Sequence, residues 1–368
     1  MDNACGRGVV KDHPFSHSHR ASFYGSINKG SDMKKKALLL GAGGPLGGLE
    51  AGALIALDEK GVEFDIISGA CVGSVLALTY TSPANGMGGR EALEMWCNAS
   101  GLSDLIYHTI CQSNYKVFQK NAGLMNPVND AWIEMMTRSN PFFTINPANE
   151  FQRFFNDTYL YWLTALSPGY MTPEQTSISR IAPFLENFID FENVKNVEKD
   201  VYINALNVTD KRIEIFDKNE ITMQHLIAGS SLFFICPQQQ IGEKLYGEGS
   251  YVDSLNYKGL IEARAEDDIE TLVVMNILNK NALIRSPKSL YDAYNQSIML
   301  PFITIAEDDT KLFEAKHKGN RKLLKVGFHI PEKHVPYVMD WSASNFKVLR
   351  DIGYEAGMDF YKKNKHML

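Results

Sequence analysis

Between residues 37 and 57 the chain carries one charged side chain, Glu50, in an otherwise apolar run. Length and hydropathy alone would make this run a membrane-spanning helix. The same run holds six glycines, Gly41, Gly43, Gly44, Gly47, Gly48 and Gly52, together with Pro45. Each glycine costs about 1 kcal/mol in a helix interior and proline about 3 kcal/mol, which argues against one continuous helix. The run divides into three pieces instead. Residues 35–40 form a short apolar strand, 41–48 a backbone loop, and 49–60 a helix with apolar residues on a helical period. Strand, glycine loop and helix in that order open a parallel α/β sheet.

Glycines in such a loop let backbone N–H groups converge on an anion. A dinucleotide site needs an acidic residue at the end of the second strand. That strand is expected at 64–68, and it is followed by Gly69-Ala70 with no such acid. A phosphate-binding P-loop needs G-K-[ST], but Leu49 follows Gly48. Both nucleotide readings weaken. An oxyanion hole built from the Gly43 and Gly44 amides and a purely structural turn both remain open at this point.

A second signal decides between them. Gly69-Ala-Cys-Val-Gly73 follows the next strand and precedes an apolar helical run at 74–80. This is G-x-C-x-G, a nucleophile elbow with sulfur in place of a serine oxygen. The flanking glycines Gly69 and Gly73 suit a tight turn. Cys71 would then sit at a helix N-terminus, where the dipole favours a thiolate. A lone cysteine is more often buried core. One at the centre of an elbow, after a glycine loop, points to covalent catalysis.

Together these segments resemble the patatin-like phospholipase family. Its pattern is a glycine-rich oxyanion loop, then G-x-S-x-G, then a D-G-[GA] motif that supplies the aspartate of a Ser–Asp dyad. Residues 49–54 (LEAGAL) are similar to the family's helix after the loop, and Ala228-Gly-Ser-Ser231 with Pro237 to its A-S-S-x-x-x-P segment. Leu245-Tyr-Gly-Glu-Gly-Ser-Tyr-Val-Asp253 is similar to L-Y-x-D-G-G-x-x-D, and 273–278 (VVMNIL) to one bacterial branch. The resemblance implies a three-layer α/β sandwich over 34–368, with a mostly parallel central sheet and a helical cap insertion at about 85–200. It implies acyl chemistry on lipids without a cofactor and without a catalytic histidine. Three residues depart from the pattern. Cys71 replaces the serine, Glu248 the aspartate, and Leu46 the usual basic residue of the loop.

A thiol with a pKa of about 8.5 supplies some thiolate at neutral pH, so it needs less activation than a hydroxyl. Glu248 is then expected to act as general base, although a carboxylate beside sulfur also raises the thiol pKa. The acyl-enzyme would be a thioester, reactive towards thiols, amines and carbon nucleophiles. Cysteine here therefore tilts the expectation towards acyl transfer over plain lipid hydrolysis. A non-catalytic lipid binder, in which both replacements mark lost activity, stays open.

Residues 85–200 read as mainly helical, with loops at 121–129 and 172–176, and are rich in aromatics. Most of these should form a small core of their own. Tyr159, Tyr161 and Trp162 are the candidates for an acyl pocket or membrane-facing lid. Further strands are expected at 201–208, 212–216, 271–278 and 325–330, and helices at 222–228, 286–313 and 344–363. Asp253 reads first as a structural turn or cap.

The 368 residues include 37 Lys and Arg against 43 Asp and Glu, a net charge of −6, so there is no basic excess to bind nucleic acid. Five widely spaced cysteines with no C-x-x-C favour a reducing, cytoplasmic compartment over a disulfide framework. No His/Cys metal pattern appears, and residues 1–33 read as a flexible polar extension. The expected partners are an acyl-lipid or acyl-thioester substrate, with an acyl carrier, a membrane surface or a second copy of the chain as further candidates.

Overall fold

Four consecutive residues of the first strand, Ala37 to Leu40, are fully buried, which requires cover on both faces of the sheet. The computed structural model describes residues 34–101, 103–104, 126–144, 147–166, 185–233, 236–263, 268–278, 280–287, 290–331, 334 and 340–368. The expected extension at 1–33, the loop at 172–176 and most of the loop at 121–129 lie outside them. The described strands are β1 (Lys35–Leu40), β2 (Ile66–Gly69), β3 (Asp200–Asn207), β4 (Arg212–Asp217), β5 (Gln239–Ile241), β6 (Lys244–Glu248), β7 (Ile269–Met275) and β8 (Lys322–Lys325). They form one mixed sheet in the order β5-β6-β3-β2-β1-β7-β8, with β4 also on β3. β3, β2, β1, β7 and β8 run parallel, and β4, β5 and β6 supply the antiparallel pairings.

The described helices are α1 (Gly47–Glu59), α2 (Val72–Thr81), α3 (Gly89–Ala99), α4 (Asn126–Ser139), α5 (Glu150–Leu166), α6 (Met223–Gly229), α7 (Tyr257–Ile261), α8 (Lys280–Leu283), α9 (Leu290–Lys316) and α10 (Ala343–Asn364). Strand alternation assigns the two cores. Leu38, Leu40, Ile67, Ile203 and Val273 pack with α1, α2 and α10 on one face. Ala37, Leu39, Ile66, Tyr202 and Val274 pack with α7 and with Ala306 and Phe313 of α9 on the other. This is the expected three-layer α/β arrangement.

Several expectations need adjusting. The strand expected at 325–330 ends at Lys325, and the one expected at 271–278 runs from Ile269 to Met275. β5 and β6 were not foreseen as strands, because the residues of 239–248 alternate weakly and include Gly242 and Gly247. The helical stretch at 85–200 is not all alike. α3 belongs to the sandwich, with Trp96 edge-on to Phe346 of α10 at 5.6 Å. α4 and α5 instead lean on each other through the Tyr159 hydroxyl, which donates to the Met136 carbonyl at 2.8 Å.

The glycines that break up residues 37–57 have two uses, and one of them is packing. A Cβ on Gly52 of α1 would lie 2.0 Å from the Arg350 carbonyl oxygen of α10, and one on Gly353 would lie 2.0 Å from the Leu49 carbonyl oxygen. The two helices therefore touch backbone to backbone, each through a glycine. Gly52→Ala and Gly353→Ala are each expected to cost about 1–3 kcal/mol in chemical denaturation. Gly327→Ala, where an added Cβ meets nothing within 4 Å, should stay within about 0.5 kcal/mol of the parent.

Candidate active site

The register around β3 brings two distant segments together. β2 pairs with β3 at residues 200–203, β6 pairs with it at 205–207, and β4 pairs across 202–207. A strand has only two edges. With β4 along one, β2 and β6 must share the other, and they approach end to end at Asn204. Cys71 follows the end of β2 by two residues, and Glu248 is the last residue of β6. Their side chains meet at this junction, where each perturbs the ionisation of the other.

Cys71 occupies the turn between β2 and α2 with φ 53° and ψ −122°. That conformation is sparsely populated for a residue with a side chain, and costs on the order of 1–3 kcal/mol. The surroundings hold it there. The Ala70 N–H donates to the Leu40 carbonyl at 3.1 Å, and the Cys71 carbonyl accepts from the amides of Ser74 and Val75 at 3.0 and 3.3 Å. The Ser230 hydroxyl reaches the same carbonyl at 3.4 Å. A Cβ on Gly69 would lie 2.6 Å from the Gly73 backbone, and one on Gly73 would lie 2.4 Å from the Leu40 oxygen. Both positions of the G-x-C-x-G motif thus require glycine for steric reasons.

The glycine loop divides its amides. Gly41 N–H donates to Glu50 Oε1 at 2.5 Å, and Ala42 N–H to the Ser254 carbonyl at 2.9 Å. The Gly44 N–H faces the Cys71 sulfur, as does that of Val72. Among the described residues no hydrogen bond uses the Gly43 N–H. Two anchored amides are therefore followed by that of Gly43, unused among the described residues, and that of Gly44, which faces the thiol.

Burial, then the Glu248 carboxylate, pushes the Cys71 thiol well above its ordinary value, against the weaker opposite pull of the Val72 and Gly44 amides. The helix terminus does pull the thiol down, through the Val72 amide, but burial and the carboxylate outweigh it. The resting group is a half-buried protonated thiol. Burial raises the Glu248 carboxyl to about 7. The Ser250 hydroxyl at 2.5 Å, the Cys71 thiol and the Ser250 amide at 3.3 Å oppose that rise. Oε1 takes both Ser250 bonds. Oε2 has no partner in ordinary hydrogen-bond geometry.

Sequence reasoning missed four contributors here: Glu50, Asn204, Ser230 and Ser250. Ser230 and Ser250 lay inside motifs and Glu50 was the lone charge in its run, so all three were visible without an evident role. Asp253 caps α7, accepting from the Tyr257 and Lys258 amides at 3.0 and 2.9 Å, as its first reading held. Tyr159 is half-buried, with its hydroxyl committed to Met136 and its ring 6.0 Å from Phe143, which is a packing role. Tyr161 and Trp162 lie on α5, but their side chains are outside the described set. Among the described residues, no group of three or more His, Cys, Asp or Glu could hold a metal ion, and no helix is long and apolar enough to cross a membrane.

The profile of the patatin-like phospholipases matches residues 38–261, from β1 to the end of α7, and the chain belongs to that family. No curated protein matches it in sequence. Among solved structures it is similar to VipD from Legionella pneumophila, with 14% identity and a TM-score of 0.39 over 90% of this chain and 67% of that one. It is also similar to ExoU in the ExoU–SpcU heterodimer from the type III secretion system of Pseudomonas aeruginosa, with 12% identity and a TM-score of 0.32 over 90% of this chain and 52% of that one. ExoU crystallised as a type III effector gives 12% identity, a TM-score of 0.34 and the same 90% of this chain, over 53% of its own length. Family membership rests on the matched residues, not on these distant likenesses.

The electrostatic coupling has a direct readout. Replacing Glu248 by Gln removes the charge that raises the Cys71 thiol, so Cys71 should titrate lower. Alkylation of Cys71 by iodoacetamide at pH 8, followed by intact-protein mass spectrometry, is expected to run several-fold faster in Glu248→Gln than in the parent.

Proposed function

We propose that the protein is an acyl-transfer enzyme acting on a fatty-acyl lipid through a thioester on Cys71. The observation that carries this reading is the meeting of the thiol with the buried Glu248 carboxylate at the β2–β6 junction. Glu248 takes the thiol proton as sulfur attacks the acyl carbonyl, and the new S–C bond forms. The developing oxyanion is held by the Gly43 and Gly44 amides. As the tetrahedral adduct collapses, the C–O bond of the ester breaks and Glu248 returns the proton to the leaving oxygen. An acceptor then repeats the sequence in reverse: Glu248 removes its proton, it attacks the thioester, and the thiol is restored.

Water as acceptor makes the reaction a lipid acyl hydrolysis, the reading that family membership favours most directly. A thioester is less resonance-stabilised than an oxygen ester, which supports a thiol or amine acceptor, including one presented by an acyl carrier. Phe142, just after α4, and Phe151, in the first turn of α5, are each more than 70% exposed and support contact with a lipid surface.

Incubation with a p-nitrophenyl fatty-acyl ester and intact-mass analysis should show an acyl adduct on Cys71 that hydroxylamine releases. Cys71→Ala should lose both adduct and turnover, and turnover that survives in Cys71→Ala would refute the reading. A binder without activity would release no p-nitrophenol. Competing acceptors separate transfer from hydrolysis by whether acyl product or free acid accumulates.

A base that titrates near 7 gives a rate that rises with pH through that region and falls about tenfold per unit below pH 6. Glu248→Gln should lower acylation by about 10²–10⁴-fold, opposite in sign to its effect on alkylation. Folding responds the other way. The Glu248 carboxyl is raised from 4.5 in the folded state, so its contribution to stability is full below about pH 4.5 and is lost as pH rises through about 7. In urea denaturation the stability of Glu248→Gln relative to the parent should therefore be greater at pH 8 than at pH 5.

A further inference from the structure

Glu50 is fully buried in the first turn of α1, although a carboxyl is among the side chains least often found there. Its Oε1 accepts the Gly41 N–H at 2.5 Å, and its Oε2 has no hydrogen-bond partner. Gly41 is packed tightly on its other sides. A Cβ there would lie 2.9 Å from Leu255 and 3.4 Å from the Met275 carbonyl oxygen. The next amide, that of Ala42, is fixed by Ser254, so the segment leading into Gly43 and Gly44 is held from two directions. One comes from α1 by a side chain, the other from the turn that follows Glu248 by a backbone carbonyl.

We propose that Glu50 is a positioning residue, which fixes the aim of the Gly43 and Gly44 amides by holding Gly41 at the start of the loop. This rests on the reading of Cys71 as nucleophile and of the two glycine amides as the oxyanion site. The reason for a carboxyl is geometric. The Gly41 N–H has no backbone acceptor among the described residues, and the Glu50 carboxyl takes it. A side chain long enough to reach back nine residues must supply the acceptor. Burial also raises the Glu50 carboxyl well above its ordinary value, against the opposite pull of the Gly41 amide, which disfavours a negative charge there. Leu255 and Met275, which pack against Gly41, bring no charge of their own.

Two reactions of the same sulfur separate this role from a structural one. Acylation by an ester needs the oxyanion amides, whereas alkylation by iodoacetamide develops no oxyanion and does not. Glu50→Met keeps the bulk but removes the acceptor, and Glu50→Gln keeps a neutral acceptor at the same reach. In Glu50→Met, single-turnover acylation of Cys71 by a p-nitrophenyl ester is expected to fall about 100-fold or more, as when one oxyanion donor is lost. The fall should appear in the acylation rate at saturation, with the half-saturating ester concentration changed less than about threefold. Alkylation of Cys71 should stay within about twofold of the parent. Glu50→Gln should recover acylation to within about tenfold of the parent.

Acylation in Glu50→Met within a few-fold of the parent would overturn the proposal. So would a parallel loss of alkylation and acylation in a folded Glu50→Gln, which would mark Glu50 as support for the elbow and not for the loop. Turnover surviving in Cys71→Ala would instead remove the reading on which the proposal rests, so the two failures have different signatures.

Discussion

The site depends on a constraint of the sheet. β3 offers one edge to two strands, β2 along its first half and β6 along its second, while β4 takes the other edge. The two strands come from opposite parts of the chain and stop against each other at Asn204. The Asn204 side chain donates to the Asp253 carbonyl at 2.9 Å, and an added Cβ on Gly249 would lie 2.3 Å from its Oδ1. This one residue of β3 thus sets the end of β6 and the turn beyond it. The thiol after β2 and the carboxyl at the end of β6 are neighbours because hydrogen-bond register leaves them nowhere else to be.

From that junction the chemistry follows by burial. A carboxyl removed from water resists ionisation, and a thiol beside it resists ionisation further. The thiol therefore rests with its proton on, and in the proposed reaction that proton passes to the ionised Glu248 carboxylate as sulfur attacks. Serine–aspartate pairs face a similar demand with a weaker acid in place of the thiol. The extra methylene of Glu248 is taken up by its position, since its carboxylate turns back to accept from the Ser250 amide and hydroxyl. The same bonds leave Oε2 without a conventional partner, on a group whose neighbours include the thiol.

The glycine-rich run shows how one sequence feature can answer two unrelated demands. Gly41, Gly43 and Gly44 belong to a loop that sorts its amides into anchored and available ones. Gly52 lies in the helix proper and serves only close contact with α10. Both demands exclude side chains, so composition alone could not separate them. The lone charge in the run, Glu50, is what ties the loop to the helix that follows it.

Much of this was legible in the chain. The run of strand, glycine loop and helix and the G-x-C-x-G turn with Cys71 were accessible, because period, helix-breaking residues and motif spacing are local properties, whereas Glu248 was a candidate only through the family resemblance. The continuous burial along β1 and β7 likewise follows from their apolar runs. The short strands β5 and β6 were not legible, since they are stabilised by pairing with β3 and not by their own residues. Nor were the roles of Asn204, Ser230, Ser250 and Glu50, each defined by a partner distant in sequence or by an ordinary residue type. The thiol's ionisation was legible in part: the pull of the helix terminus and the push of a carboxylate were both foreseen, but their balance with desolvation is set by what the fold packs around the group. Local order, then, determined which residues could do chemistry. Tertiary packing decided which of them meet and in which protonation state they rest, because register and burial are properties of many segments at once.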